Sequence, residues 1–118
     1  MAHYETVLSG DADALAQHLD RAIGGGSATS KLESGSDQRL DDARMVVRAY
    51  ERYSAMGGNR VALTVSILAV GDKLAVSMVS SGGSRAMFFK VNTIGESSFL
   101  DRGVAALGSF TEIGRAHV

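Results

Sequence analysis

The chain has 118 residues, 12 Lys and Arg against 13 Asp and Glu, and no cysteine. Near-neutral charge supplies no field for nucleic acid or an anionic membrane, so neither is expected as a partner. The missing cysteine excludes disulfides, thiolate catalysis and cysteine-ligated metals, and no apolar run approaches the ~20 residues that cross a bilayer.

A hydrophobic share of 45% suits one soluble domain with a modest core. The chain starts without a basic segment followed by an apolar run, so the expected location is cytoplasmic. His3 to Leu8 alternates and predicts a short first strand. Ser9-Gly10-Asp11 is turn and cap chemistry. The helix that follows runs to about Ile23, with Leu15, His18, Leu19 and Ile23 on one face, and Gly24-Gly25-Gly26 ends it. Ser27 to Asp37 reads either as a polar edge strand, with Lys31 and Glu33 discouraging edge association, or as a loop. Gln38 to Asp42 is a turn region.

A central β-hairpin organises the rest. From Arg60 on, Val61, Leu63, Val65, Ile67 and Ala69 point one way, and Arg60, Ala62, Thr64, Ser66 and Leu68 the other. Upstream, Met45, Val47, Ala49 and Tyr53 alternate with Arg44, Val46, Arg48, Tyr50 and Arg52. Gly57-Gly58-Asn59 is the expected turn. A helix from Ala43 to Met56, capped by Asp41-Asp42, is the rival reading of the first arm. Gly71-Asp72 makes another tight turn, and Leu74, Val76 and Met78 alternate along the next strand. After a glycine-rich connection, Arg85 to Asn92 predicts a last strand. Thr93-Ile94-Gly95-Glu96 has capping-box spacing before a final helix carrying Phe99, Leu100, Val104 and Leu107.

Short connections make the sheet antiparallel. The expected fold is α+β, a curved antiparallel β-sheet with two helices packed on one face, in the order β-α-β-β-β-β-β-α. The expected core is Leu15, Leu19, Val47, Val61, Leu63, Val65, Ile67, Val76, Met78, Phe89, Val91, Phe99 and Leu100. Residues 1–111 form one domain. Residues 112–118, Glu-Ile-Gly-Arg-Ala-His-Val, resemble a translated sequencing adapter and are read as a non-native or disordered tail.

Glu51-Arg-Tyr-Ser-Ala-Met-Gly-Gly-Asn-Arg-Val61 and Ser81-Gly-Gly-Ser-Arg-Ala-Met-Phe-Phe-Lys-Val-Asn-Thr93 carry a resemblance. The chain, from Tyr4 to about Leu107, resembles a family of small bacterial proteins classed as a domain of unknown function. The resemblance implies no activity and no catalytic residues.

Candidate chemistry is cationic. On one strand Arg44, Arg48 and Arg52 share a face, with Tyr50 between them and Arg60 across the turn. Arginine forks suit carboxylates and phosphates, so the helix-free face is expected to meet an anionic group or an acidic partner, or else to be a solvated face of Arg–Glu pairs. Ser84 and Arg85 extend this face from a glycine-rich loop that offers a backbone anion nest or simple turn chemistry. Glu51 is expected to be exposed or paired with an arginine, and His18 to pack against the core. No His-x-x-x-His pair, metal cluster or nucleophile elbow occurs, so neither a catalytic site nor a cofactor is expected. The functional expectation is a small non-enzymatic interaction domain, self-associating through an outer sheet face bearing Val46, Tyr50, Leu68 and Val79. The alternative is a carrier of a small, anionic ligand, with its pocket between the sheet and the C-terminal helix.

Overall fold

The structure, a computed structural model, describes residues 2–25, 30–53, 60–82 and 89–116, with the side chains of the last helix from Ser98 to Thr111. Five strands form one antiparallel sheet: β1 (Ala2–Ser9), β2 (Ser30–Leu40), β3 (Ala43–Tyr53), β4 (Arg60–Val70) and β5 (Lys73–Gly82), in the spatial order β1-β5-β4-β3-β2. The helices are α1 (Ala12–Leu19), which runs on into a π-helical turn at Asp20–Gly24, and α2 (Phe89–Ala116). Among the described residues no helix is long and apolar enough to cross a membrane.

The α+β class and the antiparallel sheet follow from period-two patterning closed by short turns. Leu40 pairs with Ala43 across Asp41-Asp42, and Val70 with Lys73 across Gly71-Asp72. The first turn residue takes positive φ in both, 51° at Asp41 and 60° at Gly71. Asp and Gly tolerate that conformation best. Residues 43–53 are therefore strand and not helix, and the polar stretch Ser30–Leu40 is the outer edge strand.

Both helices lie on one face. Asp11 caps α1, its Oδ2 accepting from the Ala14 N–H at 2.9 Å, and Ala12, Leu15, Ala16, Leu19 and Ile23 turn to the core. In the π-helical turn the Gly25 N–H reaches back five residues to the Asp20 carbonyl at 3.1 Å. From α2, Phe99, Ala106 and Leu107 are buried against Leu63, Val65, Leu74, Val76 and Met78. Gly103 permits this approach: a Cβ there would lie 2.8 Å from the Met78 Sδ and 3.1 Å from the Leu63 Cδ2. His18 links the helices, its Nε2 lying 3.0 Å from the Ala106 carbonyl and 2.8 Å from the Ser109 Oγ, with its ring against Phe110.

Two expectations are corrected. Residues 89–92 of the anticipated strand Arg85–Asn92 belong to α2, so Phe89 and Val91 are not sheet residues, and residues 85–88 lie outside the described residues. Thr93 to Glu96 then sit within the helix and do not open it, while the helical backbone continues through Ala116. The second correction concerns β3. A turn at Gly57-Gly58-Asn59, itself outside the described residues, would oppose Met56 to Arg60 and pair odd positions with odd. The structure opposes Tyr53 to Arg60, so even positions of β3 pair with odd positions of β4. A change of one residue in register exchanges the two faces of a strand. Val46 and Tyr50 are therefore in the core, and Val47 faces outward.

Candidate functional site

The register that buries Val46 and Tyr50 also carries the arginines inward. Arg44, Arg48 and Arg52 pair with Ala69, Val65 and Val61, all core residues of β4. They do share one face, as expected, but it is the helix-bearing one. Carboxylates from neighbouring elements meet them there. Arg44 Nη2 lies 2.7 Å from Asp13 of α1 and 2.6 Å from Asp37 of β2. The guanidinium lowers both carboxyls below the ordinary carboxylate value, chiefly by direct hydrogen bonding. Arg48 Nε lies 3.2 Å from Asp20. Tyr50 donates to the same Asp20 Oδ1 at 2.6 Å. Burial first, and the Asp20 carboxylate second, hold the Tyr50 phenol well above its ordinary pKa. Arg52 lies over the Phe99 ring, 4.8 Å from its centroid, with its pKa lowered by burial and then by Arg102. The stripe thus clasps α1, the π-helical turn and α2 to the sheet.

Arg60 is on the opposite face. Its Nε donates to Glu51 Oε2 at 3.1 Å, so Glu51 is paired with an arginine. Ser84 and Arg85 lie outside the described residues. The inward turn of β3 therefore separates the anticipated ligand residues: Arg44, Arg48, Tyr50 and Arg52 are inside, and Arg60 is outside.

What faces outward is a sheet surface that neither helix covers. Across it the registers align Val7, Ala75, Leu68, Met45 and Gln38 in one row, and Glu5, Ser77, Ser66, Val47 and Ser36 in the next. Val7 is 68% exposed, Val70 50% and Leu68 47%. Between its ends, the outward side of the three central strands carries Ala75, Ser77, Val79, Ala62, Thr64, Ser66, Leu68, Met45, Val47 and Ala49, with no charged group. Charges sit at the periphery. Lys73 and Arg60 begin their strands, Glu51 is near the end of β3, and Glu5 and Lys31 belong to the edge strands. An open trough of about 430 Å³ crosses the face, lined by Glu5, Val7, Ala75, Ser77, Ser66, Leu68 and Met45. Its lining sets small side chains, Ala75, Ser66 and Ser77, beside larger ones, Val7, Leu68 and Met45.

Of the apolar residues expected on an outer face, Leu68 and Val79 are there, while Val46 and Tyr50 are not. Sequence reasoning missed Val7, Met45, Val70 and Ala75. It also missed Asp13, Asp20 and Asp37, which pair with Arg44 and Arg48. Both parities of β3 carry apolar groups, Val46 and Tyr50 against Met45, Val47 and Tyr53, so its residue types alone gave no signal. Among the described residues no group of three His, Asp or Glu could hold a metal ion.

A family model matches residues 1–111, with the description "Family of unknown function (DUF6054)". No curated protein matches the chain.

Proposed function

The chain belongs to DUF6054, a family of unknown function, and we propose from its own geometry that it is an interaction domain that associates with a second copy of itself through the helix-free sheet face. One observation carries this reading. An antiparallel sheet that keeps one face in water normally turns polar residues outward on that face. Here the outward side of β5, β4 and β3 is apolar or hydroxyl-bearing, without charge, and ringed by ionic groups. An apolar centre inside a charged rim is the anatomy of a protein interface.

The size is consistent with that use. Strands ~4.8 Å apart rising ~3.3 Å per residue give five strands of this length a face of roughly 800 Å². A stable interface takes about that from each partner. Arg44 and Arg48, by contrast, are engaged with Asp13, Asp20 and Asp37, so these ionic pairs serve folding and leave association to the outer face. The test is substitution on each face in turn. Leu68→Glu, on the outer face, should give a folded monomer where the unaltered chain is a dimer. Gln17→Glu, on the exposed side of α1, should leave the dimer intact. A dimer disrupted by Gln17→Glu and indifferent to Leu68→Glu would place association elsewhere.

A further inference from the structure

The outer face is not flat. Leu68 on β4 stands 47% exposed beside Ala75 on β5, its partner in the ladder. Ala75 and Ser77 line the trough next to the ridge made by Leu68 and Met45. A two-fold contact presents the same patch on both copies, so every projection must find a recess on the same surface. Leu68 and Ala75 lie on adjacent strands, so an axis between those strands sets one on the other.

We infer that two copies stack sheet on sheet about a two-fold axis that runs parallel to the strands between β4 and β5, with Leu68 of each copy seated on Ala75 of the other. This rests on the self-association proposed above and specifies its geometry. The axis lays β4 over β5 of the second copy and β3 over β1. In the row containing Leu68, Leu68 then falls on Ala75, a large side chain on a small one, and Met45 meets Val7 as an apolar pair farther from the axis. Ser66 falls on Ser77, two hydroxyls able to hydrogen-bond to one another. Strand β2, whose outward residues include Lys31, Ser34, Ser36 and Gln38, overhangs the contact and stays in water. An axis along β4 itself would instead set Leu68 against Leu68 and bury that polar strand against β1. Four strands supply roughly 600 Å² per copy, near the lower limit for a stable interface. Aligned sheets cross at about −30°, so the fit is closest near the axis, where Leu68 and Ala75 lie.

An exchange of sizes tests the inference. Ala75→Leu puts a large side chain where Leu68 of the second copy must sit, and should weaken dimerisation at least tenfold, on the order of what one lost core contact does. Leu68→Ala combined with Ala75→Leu exchanges ridge and trough, and should restore the dimer to within a few-fold of the unaltered chain. Both positions are solvent-facing, and circular dichroism verifies that each variant is folded. An unaltered chain that dimerises, with Ala75→Leu equally dimeric or the double variant no better than Ala75→Leu alone, overturns this axis while leaving association through the face in place. An unaltered chain that is monomeric overturns both.

Discussion

Tyr50 donates its phenol proton to Asp20 Oδ1 at 2.6 Å, and so joins the middle of β3 to the first residue of the π-helical turn. The tyrosine is fully buried, and Arg48 approaches the same carboxylate. A hydrogen bond to a charged group contributes more than a neutral one, typically ~1.5–3 kcal/mol. Tyr50→Phe keeps the ring packing and should cost about 1–2 kcal/mol. Asp20→Ala should cost more, because it strands both the phenol and Arg48. Urea unfolding of the two variants checks the order.

Gly103 and Gly108 lie on one helix and should respond oppositely to the same substitution. A Cβ at Gly103 would meet Met78 and Leu63, whereas nothing lies within 4 Å of one at Gly108. Gly108→Ala should stabilise the chain by up to ~1 kcal/mol through helix propensity. Gly103→Ala should destabilise it by about 1–3 kcal/mol, because overpacking outweighs that gain. Thermal melts of both variants decide.

The register of β3 predicts unequal costs at neighbouring valines. Val46 is 1% exposed, while Val47 faces outward. Val46→Ala should cost ~1–3 kcal/mol by lost transfer energy and cavity formation, and Val47→Ala clearly less in the monomer. The reverse order would restore the register that puts odd positions inside.

Arg44 sets an acid limb. Asp13 and Asp37 have carboxyl pKa values below the ordinary 3.8, held down first by their hydrogen bonds to Arg44. A depressed folded-state pKa contributes stability above the ordinary value, and that stability is lost as pH falls through it toward the folded value. Arg44→Met should therefore lower stability at neutral pH and flatten its decline over that acid range. Urea midpoints measured through the range for both chains show the slope, and both groups are exposed enough for salt to weaken the effect.

The fold was legible wherever pattern and turn chemistry agreed. The alternation of β4 from Val61 to Ala69, the Asp11 cap and the Gly71-Asp72 turn each state their structure locally. The face of β3 was not legible, because it depends on how many residues connect Tyr53 to Arg60 and both parities of the strand carry apolar groups. The candidate site inherited that ambiguity. Arg44, Arg48 and Arg52 are visibly in phase, but the carboxylates that meet Arg44 and Arg48 come from α1, the π-helical turn and β2, and the ring under Arg52 from α2, all distant in sequence. The helical start of α2 was hidden for a different reason: Phe89, Lys90, Val91 and Asn92 suit a strand by residue type, and tertiary context overrides so short a preference.

Association of two chains through the bare sheet face would fix the mass of the particle in solution. Light scattering on the full chain across a range of concentrations measures this directly. The expected molar mass is twice the 12.3 kDa of one chain, falling to one chain's mass on Leu68→Glu. A mass of 12.3 kDa at every concentration, with the outer face still uncovered, would contradict it.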